Sequence, residues 1–515
     1  FRFAMIDTMS PEMNWGQVLW RTVILSRRLR WAWRGQEVVG VMLPPSVGAS
    51  LVNYGAAMTG RTVVNLNYTA GQEIINDCAA RAGVRTVVTS RTFLERTGLE
   101  APAEPIYAED HRGYRGLGEV FGAMLMARLA PAGLLERYCG RMRVTGPDTL
   151  ASIIFSSGST GQPKGVMLSH FNIGANVESF RQGIHVWRHD RLLGTLPLFH
   201  SFGYTVALWA PAIFPFGVVH HANPLDMKTI GELVRTREVT VVITTPTFLQ
   251  AYERRIDPSQ LGGINCIITG AERLPDRLRV GFLEKFGIEP LQGYGTTECS
   301  PVVATNVNDH RAPGECQIGH KRGSIGVPLP GIAVRIIDPE TGRRRPEGEP
   351  GLVHVYGPNI MQGYLDMPEA TEAAVRDGWY NTGDIGYMDE DGFIFLTGRQ
   401  SRFSKIGGEM VPHVMIEDKL HEVLELDEQR LVVTAITDER RGEVLVVLHT
   451  LEEELLEGIG EKLAAAGLPN LWIPRREHFY RIEELPTLGT GKLDLKEVER
   501  QAHVLVFGNR NGPAR

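Results

Sequence analysis

Short apolar runs alternate with helical stretches along the first hundred residues, and this alternation most constrains how the chain can fold. Glu37 to Leu43, Thr62 to Leu66 and Val84 to Val88 are brief runs rich in valine, and a helical stretch through Gly48 to Tyr54 stands between the first two. Strand and helix in turn give parallel βαβ units, because a parallel partner needs a crossover long enough to return to the same end of the sheet. The pattern resumes at Val239 to Thr245 and at Cys266 to Glu272, the second ending in a glycine turn. Open parallel sheets bind ligands beyond the carboxyl ends of their strands, so the loops after these runs are candidates for one shared site.

An apolar run, Ala151 to Phe155, leads into Ser156, Ser157, Gly158, Ser159, Thr160, Gly161, Gln162, Pro163, Lys164 and Gly165. Small hydroxylated residues and glycines after a buried strand present N–H groups, hydroxyls and one lysine around a concavity that suits a polyphosphate. It is not a Walker A motif, which needs Gly-Lys-Ser/Thr where Pro163 precedes Lys164 and Gly165 follows it. Alone, the loop reads equally well as a solvated flexible segment. In Gln292 to Glu298, Tyr294 offers a ring to a base, Gly293 and Gly295 permit close approach, and Glu298 offers a hard oxygen to Mg²⁺. That segment alone is also readable as a tight turn. Leu196 to Gly203 places His200 among aromatic and small residues, where a lone histidine is ordinarily structural.

From Gly331 to Gly398 the pattern changes to short alternating strands with glycine turns, an antiparallel or barrel-like subdomain that also carries Gly378 to Asp384. Beyond it lies a small α+β tail: a helix over Val414 to Leu424, strands at Leu431 to Ala435 and Val444 to Leu448, and a helix from Leu455 to Ala466. About a hundred residues can hold their own core. The boundary is placed at Gly398 to Phe403, giving a large domain over 1–398 and a smaller one over 399–515. The fold class is therefore α/β, with parallel βαβ layers, a small β subdomain and an α+β tail.

Composition narrows the partners. Apolar content of 43% and charged content of 22% suit a globular enzyme, and a net charge of −6 gives no global argument for nucleic acid. Five cysteines without framework spacing imply a reducing, cytoplasmic setting and no structural metal. No apolar run reaches the roughly 18 residues of a spanning helix. Arg112 to Arg143 mixes six arginines with leucines, methionines and Phe121, and it is broken by Pro131. It reads as an amphipathic helix, packed on its own domain or resting on the inner face of a membrane as a peripheral contact.

Five segments in order carry a resemblance: Ser156 to Gly165, Tyr294 to Glu298, Thr382 to Asp384, Gly398-Arg399 and Gly491-Lys492. The chain resembles the acyl-adenylate-forming (ANL) superfamily of AMP-dependent synthetases and ligases over nearly its whole length. Arg402 to Val411 and Leu485 to Asp494 most resemble the acyl-[acyl-carrier-protein] synthetase half of the bifunctional acylglycerophosphoethanolamine acyltransferase/acyl-carrier-protein synthetase. The resemblance implies that a fatty acid attacks ATP to give acyl-AMP and pyrophosphate. A phosphopantetheine thiol, of acyl carrier protein or of coenzyme A, then takes the acyl group. A non-catalytic nucleotide- or acyl-binding module is the remaining alternative. The resemblance also implies a fused or partner acyltransferase.

Residue by residue, Ser156, Ser157, Gly158, Ser159, Thr160, Gly161 and Lys164 would hold the ATP phosphates, with Glu298 and Thr160 on Mg²⁺. Gly270, Ala271, Glu272, Gly293, Tyr294, Gly295 and Thr297 would line the adenine pocket, and Asp384 and Arg399 would fix the ribose. Lys492 would be the catalytic lysine, with His200 and Glu298 beside the reacting groups. Arg402, Lys405, Gly407 and Gly408 would form the hinge and the thiol channel. Many members carry an acidic or lysine hinge residue where this chain has Arg402.

Overall fold

The computed structural model describes residues 2–111, 113, 116–142, 145–156, 163–184, 186–406, 409–426, 428–438, 442–487 and 493–508. Ser157, Gly158, Ser159, Thr160, Gly161, Gly407, Gly408 and Lys492 lie outside the described residues.

Two parallel sheets form the large unit. In the seven-stranded sheet, Leu150–Ser156, Thr62–Asn65, Val38–Val41, Thr86–Thr89 and Glu104–Tyr107 run parallel, and Lys164–Ser169 with Gly363–Tyr364 turn antiparallel at one edge. In the nine-stranded sheet, the parallel block is Leu291–Gly295, Cys266–Thr269, Val241–Thr244, Arg191–Gly194, Gly217–His220 and Phe3–Ile6. The central strands are buried along their whole length, as in Val241–Thr244, which is why they read as unbroken β-branched runs in the sequence. One core joins the sheets, with Val39, Val63 and Ile154 from one packed into the same cluster as Leu192, Val218 and Ile268 from the other.

The segment from 333 to 399 forms a five-stranded antiparallel sheet in which Trp379–Met388 pairs with both Gly351–Tyr356 and Ile394–Arg399. From Phe403 onward the chain builds another five-stranded sheet with cores on both faces. Leu431 and Val433 pack with Ile416 and Leu420 on one side, while Val432 packs with Val498 and Ala502 on the other, the period of two expected of a strand.

Two helix assignments change. The Leu455 to Ala466 helix is a 3₁₀ turn, Glu453–Leu456, followed by a short helix, Ile459–Ala465, because Gly458 between them adopts φ +66°. The Arg112 to Arg143 stretch is two helices, Leu117–Leu129 and Ala132–Cys139, divided at Pro131, which opens the second. Leu117–Leu129 is not amphipathic: apolar side chains point both into the domain and away from it. Among the described residues, no helix is long and apolar enough to cross a membrane.

Candidate functional site

Two neighbouring loops at carboxyl ends of the nine-stranded sheet carry site residues, and one of them meets the antiparallel sheet through Tyr294. Cys266–Thr269 ends at Gly270, where a Cβ would lie 3.2 Å from the Phe202 ring, and at Ala271, whose φ is +68°. Its parallel neighbour Leu291–Gly295 carries Gly293, Tyr294 and Gly295. Gly295 admits no side chain, because a Cβ there would strike the Pro301 carbonyl oxygen. Glu272 accepts hydrogen bonds from the Thr247 hydroxyl (2.7 Å) and amide (3.3 Å), which pins the rim of this loop to the helix Pro246–Arg255.

Facing these loops is Asp384, only 4% exposed, on Trp379–Met388. The antiparallel register puts Arg399 directly opposite, and its Nε donates to Asp384 Oδ1 at 2.9 Å. The Tyr294 phenol donates to the other oxygen, Oδ2. Burial pushes the Asp384 carboxyl above the usual carboxylate range, and Arg399 and Tyr294 oppose that shift. Burial and Asp384 together hold the Tyr294 phenol protonated, so it remains a donor. Each carboxylate oxygen accepts about two hydrogen bonds, so Asp384 keeps capacity for a vicinal diol.

The same stretch supplies Glu298, held twice by one segment. Its carbonyl accepts from the Met361 amide at 2.8 Å, and its carboxylate Oε1 accepts from the Tyr364 phenol at 2.9 Å. The Lys164 ammonium lies 4.9 Å from the centroid of the Tyr364 ring. Tyr364 reaches both because Gly363–Tyr364 pairs antiparallel with Lys164–Ser169, the strand that leaves the Gly/Ser loop. Sequence reading did not single out Tyr364, which stands in a two-residue strand outside any glycine loop. Tyr380, on the strand of Asp384, feels both Glu298 and Tyr364 and closes the cluster.

His200 is exposed at the start of a tightly packed helical turn, and Ser201 beside it shares a hydrogen bond with Thr297 at 3.3 Å. The π-helix Gly203–Trp209 follows, with Thr205 Oγ1 donating to the Ser300 carbonyl at 2.8 Å. The structure thus brings Gly270, Tyr294, Thr297, Glu298, Asp384, Arg399 and Lys164 to one end of the sheets.

Arg402 belongs elsewhere. Its guanidinium is buried against Glu417 of the helix His413–Val423, and Glu417 Oε1 also accepts from the Val433 amide at 2.6 Å. Burial raises the Glu417 carboxyl, while the arginine pulls it back. His413, pushed down to about 3 by burial and then by Arg402, is neutral and bonds Ser404 at 2.5 Å. Surface ion pairs from Arg273 to Asp418 and from Arg254 to Glu428 (3.7 Å) connect the large unit to this one. Exposed pairs contribute about 0–1 kcal/mol each, a weak latch.

Among the described residues, no group of three or more His, Cys, Asp or Glu side chains could hold a metal ion. One well-anchored carboxylate, Glu298, fits Mg²⁺ instead, since that ion takes one or two protein carboxylates and completes its shell with phosphates and water.

The AMP-binding enzyme family model matches residues 2–365. The chain belongs to that family. This AMP-binding enzyme is 29% identical over 478 residues to 4-coumarate-CoA ligase 1 of Narcissus pseudonarcissus, covering 90% of this chain and 84% of the relative. It is 30% identical over 367 residues to a long-chain-fatty-acid–CoA ligase of Bacillus subtilis, covering 69% and 62%. In structure it resembles the o-succinylbenzoate coenzyme A synthetase of Bacillus subtilis in complex with ATP and magnesium ion (TM-score 0.78, 23% identity, 96% of each chain). The AMP-binding enzyme thus has the adenylate-forming fold, and it is an acid–thiol ligase.

Proposed function

We propose that this enzyme activates a medium- to long-chain fatty acid as acyl-AMP and passes it to the phosphopantetheine thiol of acyl carrier protein. The observation that carries the adenylation half is the pairing of two clusters at one sheet end. A buried carboxylate suits a ribose diol at Asp384, and a carboxylate and a lysine share one tyrosine at Glu298, Tyr364 and Lys164.

In this reading ATP lies with its adenine along Gly270 to Glu272 and Gly293 to Gly295, and Asp384 accepts from the ribose hydroxyls while Arg399 fixes the carboxylate. Ser156 to Gly161 and Lys164 hold the departing pyrophosphate, with Glu298 and Thr160 toward Mg²⁺. The metal, when bound, neutralises charge on the triphosphate. Lys492 approaches the substrate carboxylate and α-phosphate, lowering the repulsion between two anions, and His200 stands by the reacting carboxyl. The chain divides into 1–398 and a mobile 399–515. That tail withdraws Lys492 after adenylation and presents Lys405, Gly407 and Gly408 to the pantetheine arm. Because Arg402 is tied to Glu417 inside the small unit, it moves with that unit.

The likeness of Arg402 to Val411 and Leu485 to Asp494 to acyl-carrier-protein synthetases supports the carrier-protein acceptor, a peripheral site at the inner face of a membrane, and a fused or partner acyltransferase. The names of the relatives favour a second acceptor, coenzyme A. Thioester formation is compared with holo-carrier protein and with coenzyme A at equal thiol concentration. Faster turnover with the carrier protein is expected, and preference for coenzyme A replaces the acceptor while leaving adenylation standing.

A further inference from the structure

The helix Leu117–Leu129 is apolar on the side that needs to be and also on the side that does not. Its inner face buries Ala123 against Val23 and Ile24 of the helix Trp15–Leu29 and against Leu135 and Cys139 of the helix Ala132–Cys139. On the outer face Leu117 is 90% exposed, Phe121 69%, Leu125 46% and Leu129 69%, flanked by Met124 and by Leu134 of the next helix. Residues 117, 121, 125 and 129 are four apart and form one stripe. A helix whose only partner is its own domain carries polar residues on its water side, so this stripe calls for a second environment.

The charges around it say which. Along the sequence, six arginines and two glutamates lie between 112 and 143, a net of +4 within a chain of net charge −6, and Arg128, Arg137 and Arg141 are the arginines of this stretch among the described residues. Both glutamates are already paired with arginines of the same domain: Glu119 accepts from Arg28 Nε at 3.0 Å, and Glu136 meets Arg141 at 2.7 Å. The exposed charges on these two helices, Arg128 and Arg137, are positive. Leucine and phenylalanine on one stripe with arginines among them match an anionic lipid surface. The apolar groups enter the acyl boundary, and the arginine stems lie alongside with their heads at the phosphates.

We propose that this enzyme docks on anionic bilayers through the outer face of Leu117–Leu129. The proposal is independent of which thiol accepts the acyl group.

The test is co-sedimentation of the full chain with phosphatidylcholine vesicles and with vesicles containing phosphatidylglycerol. Binding is expected to the anionic vesicles and to weaken with salt. Replacing Leu117, Phe121, Leu125 and Leu129 together by glutamine should lower partition at least tenfold, with the melting temperature unchanged because these side chains are exposed. Arg128→Gln with Arg137→Gln should lower it about tenfold on anionic vesicles alone, at about one kcal/mol per arginine at most. Phe121→Trp gives a check that does not depend on the glutamine variant, its emission shifting to the blue when anionic vesicles are added. Equal binding to both lipids, or unchanged partition of the glutamine variant, overturns the proposal. So does a loss of carrier-protein or self-association affinity in that variant with vesicle binding intact, since the face would then be a protein-docking surface.

Discussion

Replacing Tyr364 by phenylalanine removes one oxygen and leaves the ring. The lost bond is the 2.9 Å phenol-to-carboxylate contact with Glu298, made by a side chain only 5% exposed. Hydrogen bonds to charged groups are worth about 1.5–3 kcal/mol, but Glu298 is half-buried and water can replace part of the bond, so about 1–2 kcal/mol is expected. That is roughly 5- to 30-fold, overlapping the lower part of the roughly 10–100-fold cost of removing partners that orient a metal-binding carboxylate. The readout is the Mg²⁺ concentration that gives half-maximal ATP binding, followed by calorimetry with a non-hydrolysable ATP analogue. It should rise about tenfold with little change in melting temperature. Tyr364→Leu also removes the ring beneath Lys164 and should further weaken pyrophosphate binding, by about 0.5–2 kcal/mol. If Tyr364→Phe moves the Mg²⁺ midpoint by less than twofold, Tyr364 does not position Glu298.

Asp384→Asn should weaken ATP binding roughly 10- to 100-fold by removing a charged acceptor, and it should narrow the preference for ATP over 2′-deoxy-ATP. Unchanged discrimination would place the ribose elsewhere. Glu417→Gln leaves the Arg402 guanidinium buried without its counter-charge and should cost about 3–5 kcal/mol in urea unfolding, while Arg402→Met with Glu417→Gln, which keeps an acceptor for the Val433 amide, should cost much less. Equal losses in both would mean that packing, not charge, dominates there. His220, pushed down to about 4 by burial despite Asp7 nearby, binds fewer protons folded than unfolded, where its value is about 6.5. Its contribution to stability is therefore present above pH 6.5 and lost as pH falls toward 4. His220→Asn should flatten the fall in melting temperature between pH 7 and 5, and an unaltered slope would contradict the assignment.

The parallel sheets were legible because strands buried on both faces leave contiguous β-branched runs, as Val241–Thr244 does. The loops that end those strands carry glycines for steric reasons visible at Gly270 and Gly295, so Tyr294 and Glu298 could be found from their company. Asp384 and Arg399 were legible as separate motifs, but their ion pair is set by strand register, which no local pattern encodes. Tyr364 left no sequence signal, because its role depends on a two-residue strand meeting Lys164–Ser169 across some 200 residues of chain. The resemblance puts Arg402 at a hinge, and the fold adds that its guanidinium is buried on Glu417, a partner that no local pattern shows. The Leu117–Leu129 helix looked amphipathic because arginines were counted along with leucines. In three dimensions its outer stripe is itself apolar, so charge does not divide along the helix as the sequence pattern suggests.

The central claim, that a fatty carboxylate attacks ATP at this site with release of pyrophosphate, is tested most directly by ATP–pyrophosphate exchange in the absence of any thiol. Exchange dependent on added fatty acid, strongest at medium or long chain length and lowered roughly 10- to 100-fold by Asp384→Asn at sub-saturating ATP, is the predicted result. No fatty-acid-dependent exchange at any chain length contradicts it.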